Sequence, residues 1–296
     1  MSWILIALIT PVLHGLANIL DNYLANRLFK NGWTLTFYSS FLNLVFVPLV
    51  FLFQVPSLPP TNLLPFFLLI ALIEVFYLFP YYKALQNEDT SIITALFSLG
   101  RIFIPALAFL MVGEVLQPIQ YIGFLIIVLA SAALTFNSKT KLRFNSSLIY
   151  MIVCSVLLAL EAVIYKYLFE NVSWSTGFVW PVAFSFVIAL FFLLIPALRK
   201  DILQNRTTFK KNLPVFALGE ILTFAGSGAA LLAISLVPVT LAKSIGSFQA
   251  FFVLFYAVLF HRLFPNVFRE SVDRRSILKK SIFFIIMIVG VILVIR

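Results

Sequence analysis

The sequence predicts an all-α polytopic membrane protein, and composition and segment length are the observations behind that fold class. Of the 296 residues, 62% are apolar and 11% are charged, whereas a soluble domain carries about 25% charged residues. Ten apolar segments of roughly 20 residues, the length of a transmembrane helix, fill the chain. A β-barrel would instead show short alternating strands. The lipid bilayer is therefore the expected surroundings of a helical bundle.

Turn-forming or charged gaps separate the segments and set the expected helix ends. The proline-rich gap at 54–62 (QVPSLPPTN) follows the second segment, and basic gaps at 137–147 and 199–212 follow the fifth and seventh. None is long enough for a soluble domain. The first segment reads as a retained helix, because it lacks a basic start and its His14 and Asp21 interrupt a signal-peptide core. The expected helices cover residues 3–28, 35–54, 63–84, 91–112, 118–136, 148–169, 176–197, 213–235, 239–260 and 277–295.

The chain also reads as two copies of one unit, residues 1–140 and 141–296. At one common offset, similar residues recur before and within the third and fourth helices of each unit. Because five helices is an odd number, the second unit must enter the membrane from the opposite face, so the sequence predicts an inverted repeat. The matching positions are Leu64-Pro65 with Leu213-Pro214, Ala84 with Ala233, Ser91 with Thr240, and Ser98 with Ser247.

Residues 106–134 (ALAFLMVGEVLQPIQYIGFLIIVLASAAL) resemble the end of the fourth and the whole fifth helix of an EamA-type member of the drug/metabolite transporter superfamily. The Gly113-Glu114 turn and Gly123 carry the resemblance, which extends to chain length and helix count. The second copy departs from it at residues 261–263 (HRL), where the Gly-Glu turn would recur. The resemblance implies a carrier whose helices 1, 3, 4, 6, 8 and 9 surround a central cavity and alternate between inward- and outward-open states.

Six ionisable residues lie near the middle of apolar segments. A charge at mid-bilayer costs about 2.5 to 3.5 kcal/mol on insertion scales. These side chains are therefore expected to face one another or water, which favours a polar pathway through the bundle. They are Asp21, Glu74, Arg101, Glu161, Glu220 and Lys243.

Substrate-binding residues are expected among these charges and their neighbours. Asn18 and Asp21 continue a polar stripe, with Thr10 and His14, on one face of the first helix. Arg101 would clamp a substrate carboxylate or phosphate, and it and Lys243 each have a hydroxyl on their own face. Interhelical hydrogen bonding and charge compensation are the alternatives. The predicted set is Asn18, Asp21, Tyr77, Ser98, Arg101, Glu161, Lys243 and Ser247.

Glu74 and Glu220 are the candidates for proton coupling, because the repeat relates them to within one helical turn. A carboxyl group in a partly dry cavity can exchange a proton near neutral pH and couple transport to a gradient. The alternative is a structural ion pair with Arg101 or Lys243.

Other functions are disfavoured by what the sequence lacks. It carries no Walker loop, HExxH or GxSxG motif. With a single cysteine, Cys154, and two histidines, no metal site or cofactor is expected. The formal charge of +10 lies in short gaps and forms no nucleic-acid-binding module. By the positive-inside rule these basic loops are cytoplasmic and both termini lie outside, whereas the family resemblance implies termini inside.

The sequence thus predicts a secondary transporter and no enzyme. The expected activity is export or exchange of a small polar metabolite of amino-acid-like chemistry by alternating access, with Glu74 and Glu220 as the candidates for a coupled proton. The alternatives are exchange of anionic or phosphorylated metabolites, and a membrane-embedded protein that does not transport. The expected location is the bacterial cytoplasmic membrane.

Overall fold

The computed structural model describes residues 2–88, 90–135, 146–263 and 274–296, which form an all-α bundle with no strand among them. Eight helices are long and apolar enough to span a membrane, and two shorter apolar helices bring the number to ten. The predicted fold class is confirmed. The helices are α1 (Ser2–Leu28), α2 (Gly32–Leu52), α3 (Thr61–Asn87), α4 (Thr90–Gly100, Arg101–Phe103 and Ile104–Val112), α5 (Pro118–Thr135), α6 (Ser146–Phe169), α7 (Trp174–Leu194), α8 (Leu213–Leu236), α9 (Val239–Gly246 and Gln249–Leu263) and α10 (Arg274–Ile295).

Local signals explain where these helices begin and end. The Asn31 side chain accepts a hydrogen bond from the Trp33 amide at 3.1 Å, and Ser173 accepts one from the Thr176 amide at 3.3 Å. Such N-caps start α2 and α7 a few residues before the hydropathy pattern does. Gly113 ends α4 in the left-handed conformation, with φ +67°, which is why a glycine stands in that turn.

The helices α4 and α9 are irregular beside the two cations. α4 tightens into a 3₁₀ turn at Arg101–Phe103, and α9 is interrupted at Ser247 and Phe248, whose amides bond three residues back at 2.9 and 3.1 Å. Gly100 and Pro105 lie on either side of the α4 turn, and Gly246 directly precedes the interruption of α9. Both predicted cations therefore lie at or beside an interrupted stretch of helix.

The packing places α5 and α10 together at one side and the other helices around the centre. α1 packs along α8, and α3 packs against both α6 and α7. Gly123 lets α5 approach α10, because an added Cβ would lie 2.7 Å from the Gly290 carbonyl oxygen. Small residues allow such close crossings in membrane bundles.

The basic gap at 199–212 is not a plain loop, because two short helices, Pro196–Gln204 and Arg206–Lys211, occupy it. They are anchored through Tyr38 on α2, whose hydroxyl donates to the Ile202 carbonyl at 2.7 Å and whose ring stacks on Phe209 at 4.2 Å. Residues 137–145 of the other basic gap, and residues 264–273 of the loop towards Lys280, lie outside the described residues.

Candidate functional site

A cavity of about 240 Å³ lies at the centre of the bundle. It is lined from α1, α3, α4, α6, α8 and α9, as the resemblance implied, and also from α2 and α7. Within the described part of the chain, α5 and α10 contribute nothing to the lining. The volume lies just below the roughly 300 to 1,000 Å³ of drug-sized ligand sites, so the cavity suits a small metabolite.

Asp21 and Asn18 line the cavity from α1, and both are buried. The Tyr81 hydroxyl on α3 donates to the Asp21 carboxylate at 2.9 Å and approaches the Asn18 carbonyl oxygen at 3.3 Å. The Asn18 amide nitrogen has no hydrogen-bond partner among the described residues. A buried donor without a partner is costly, so this nitrogen is a ready donor to a bound ligand.

The other two residues of the α1 stripe bond directly to α8. The Thr10 hydroxyl donates to the Gly226 carbonyl at 3.0 Å, and His14 Nε2 lies 3.2 Å from the Thr223 carbonyl oxygen. Both line the cavity as well. The stripe therefore combines interhelical hydrogen bonding with cavity lining.

Glu220 and Glu74 line the cavity from α8 and α3, and each accepts hydrogen bonds from two neutral groups. Glu220 accepts from the Ser39 hydroxyl at 2.6 Å and the Asn43 amide at 2.9 Å. Glu74 accepts from the Tyr165 hydroxyl at 2.8 Å and the Ser185 hydroxyl at 2.7 Å. In this structure neither carboxylate forms the ion pair with Arg101 or Lys243 that was the alternative interpretation.

The two cations line the cavity from α4 and α9. Arg101 donates to the Ser98 hydroxyl at 3.4 Å and to the Gln249 side-chain oxygen at 3.3 Å. Its guanidinium lies against Gly246, where an added Cβ would be 3.4 Å from Nη2. Among the described residues, no carboxylate oxygen lies within 4.0 Å of a side-chain nitrogen of Arg101 or Lys243.

Glu161 and Tyr77 line the same cavity from α6 and α3. Glu161 and Lys243 attract each other electrostatically, although they form no ion pair within 4.0 Å. Acceptor and donor groups of opposite charge therefore face one space, which leaves both open to a ligand.

Ser98 and Ser247 lie outside the cavity lining. Both are fully buried, and the Ser98 hydroxyl lies 2.8 Å from that of Ser131 on α5, which donates to the Ser247 carbonyl at 2.6 Å. These hydrogen bonds tie α4, α5 and α9 together beside Arg101, whereas the Ser247 hydroxyl itself has no partner among the described residues. The two serines support the cation's surroundings, and their side chains do not face the cavity.

The other predicted residues all line the cavity, namely Asn18, Asp21, Glu74, Tyr77, Arg101, Glu161, Glu220 and Lys243. The sequence reasoning missed Ser39, Asn43 and Ser185, because a lone hydroxyl or amide in an apolar helix is common. Within the described ranges, no group of three or more His, Cys, Asp or Glu side chains is placed to hold a metal ion.

Comparisons with known proteins place this geometry in context. The model of the EamA-like transporter family matches residues 1–136. A solved crystal structure of a protein superposes with a TM-score of 0.63 at 15% identity, covering 96% of this chain and 97% of that chain. At that identity the likeness shows the fold alone. A search of curated proteins gave no match.

Proposed function

We propose that the protein is a secondary transporter of small amino-acid-like metabolites, because the model of the EamA-like transporter family, of the drug/metabolite transporter superfamily, matches residues 1–136. The members of that family are membrane transporters and not enzymes. The central cavity is the proposed substrate site, and alternating access around it is the proposed mechanism. The proposed location is the bacterial cytoplasmic membrane.

One observation carries the substrate class: the cavity presents unpaired groups of both signs. Arg101 and Lys243 face the cavity, and neither forms an ion pair with a described carboxylate. Glu161 also faces the cavity, and the structure shows neither an ion pair nor a side-chain hydrogen bond for it among the described residues. A substrate carboxylate would bind the two cations, and its ammonium group would bind Glu161. A zwitterion satisfies both without leaving a net charge in the membrane.

Exchange of anionic or phosphorylated metabolites is the second candidate. The same absence of ion pairs at Arg101 and Lys243 favours it, because two unpaired cations suit a doubly charged anion. Glu161 distinguishes the two candidates, because its carboxylate would attract the ammonium group of a zwitterion and repel an anionic substrate.

A proteoliposome exchange assay tests the proposal with neutral amino acids, dicarboxylates, sugar phosphates and polyamines as radiolabelled substrates. The expected result is exchange of neutral amino acids, strongly reduced in Glu161→Gln. Glu170→Gln, at an exposed position at the end of the same helix, is the control and should behave as wild type. Exchange of anions alone, unaffected by Glu161→Gln, would favour the second candidate. Folded protein that exchanges none of the substrates would contradict both.

A further inference from the structure

The two membrane carboxylates are held by serines from opposite halves of the chain. Ser39, on α2 in the first half, donates to Glu220 on α8 in the second half at 2.6 Å. Ser185, on α7 in the second half, donates to Glu74 on α3 in the first half at 2.7 Å. Each bond therefore fastens one half of the protein to the other.

The predicted repeat relates the two bonds to within one helical turn. Ser39 and Ser185 are 146 positions apart, and so are Glu74 and Glu220, whereas the matching positions of the predicted repeat are 149 apart. With this common shift of three residues, exchanging the halves turns the Ser39–Glu220 bond into the Ser185–Glu74 bond. The helix packing follows the same exchange, because α2 packs against α8 as α7 packs against α3.

The remaining donors to these carboxylates also cross between the halves. Asn43, on α2, donates to Glu220 at 2.9 Å. Tyr165, on α6, donates to Glu74 at 2.8 Å. These two donors are not repeat equivalents, so the serines are the part of the arrangement that the two sites share.

We infer that Ser39 and Ser185 are positioning residues that hold the two halves in register, each favouring the opposite orientation of the carrier. The inference rests on the proposed alternating access. In an inverted repeat, exchanging the halves also exchanges the inward- and outward-open states. If loss of one serine bond favours opening to one side, loss of the other must favour opening to the other side.

The test measures which side of the membrane reaches the cavity, without any substrate. A reporter cysteine replaces Ala230, which lines the cavity, in a Cys154→Ser background. An impermeant maleimide is applied to right-side-out and to inside-out vesicles, and the ratio of the two labelling rates is recorded. Total labelling after denaturation confirms that equal amounts of protein are present.

Ser39→Ala and Ser185→Ala are expected to shift this ratio in opposite directions, each by about fivefold or more, the change that loss of about one hydrogen bond brings to an equilibrium. Ser39→Thr and Ser185→Thr should restore it, because threonine keeps the hydroxyl. Ser40→Ala is the matched control, since Ser40 is buried on α2 and lines the cavity but forms no hydrogen bond to Glu220 in this structure.

Shifts in the same direction, equal shifts from Ser40→Ala, or no shift would overturn the inference, as would threonine variants that fail to restore the ratio. Opposite shifts in a protein that exchanges none of the tested metabolites would support the positioning role and contradict the proposed substrate class. Failure of the positioning inference and failure of the proposed substrate class therefore give different results in these experiments.

Discussion

Gly100→Ala is the substitution whose effect the packing defines most sharply. At Gly100 the helix α4 crosses α6, and an added Cβ would lie 2.0 Å from the Ser155 Cβ and 3.1 Å from its Cα. Ordinary carbon contacts are about 3.5 to 4.0 Å. The contact with the Ser155 Cβ therefore requires the two helices to separate by more than about 1 Å, because the backbone fixes the position of a Cβ and no side-chain rotation relieves that contact.

The separation should affect transport more than stability. Overpacking of this kind costs about 1 to 3 kcal/mol. Arg101 follows directly and faces the cavity, and a displacement of about 1 Å in a site can lower a rate about 100-fold. We expect Gly100→Ala to unfold at a lower temperature in detergent and to lose most exchange activity in proteoliposomes.

Two further variants decide whether the contact itself is responsible. Gly219→Ala is the control, because Gly219 precedes Glu220 and, among the described residues of other helices, the nearest atom to an added Cβ would be the Leu20 Cβ at 3.5 Å. It should retain stability and transport. Gly100→Ala combined with Ser155→Gly removes the Cβ and hydroxyl that clash, and it should recover part of both properties. Wild-type behaviour of Gly100→Ala, or a double variant no better than the single one, would refute the reasoning.

Three other predictions concern coupling, the α9 start and topology. Glu74→Gln or Glu220→Gln should still exchange substrate but lose accumulation driven by a pH gradient if that carboxyl carries the coupled proton; parallel loss of both activities in both variants would exclude this pair. Glu114→Gln should lower thermal stability by about 0.5 to 2 kcal/mol, because this carboxylate accepts the first amides of α9 at 2.7 and 3.1 Å, whereas Glu170→Gln should not; equal stability of the two would contradict a capping role. Cysteines placed in residues 199–212 should resist an impermeant reagent in intact cells, and their rapid modification would reverse the charge-based topology.

The ten helices could be predicted from the sequence because each needs about 20 apolar residues to cross the bilayer. Their ends could be placed only to within a few residues. Hydropathy does not register a polar N-cap such as Asn31, which starts α2 before the apolar run. Hydropathy also predicts a loop at residues 199–212, where the structure has two short helices. Helices this short are stabilised by tertiary contacts, such as the stacking of Phe209 on Tyr38, which a hydropathy pattern does not contain.

The charged half of the candidate site could also be predicted, because a charge inside a membrane segment must find a polar partner. The neutral hydrogen-bond donors of the site could not be predicted from the sequence. Ser39 and Ser185 resemble many serines that bond within their own bundle, and Ser98, which was predicted to bind substrate, is such a serine. The common spacing of 146 between the serines and between Glu74 and Glu220 was the available signal.

The most direct test of the central cavity as the transport site is exchange in proteoliposomes by Arg101→Ala. Arg101 faces the cavity with no ion pair to a described carboxylate. Its removal should weaken substrate binding and should not hinder insertion into the membrane, because a charge inside a membrane segment opposes insertion. Arg199→Ala, which removes an exposed cation from the short helix Pro196–Gln204, is the control. The account predicts equal amounts of inserted protein, loss of exchange in Arg101→Ala and normal exchange in Arg199→Ala. Wild-type exchange by Arg101→Ala would contradict it.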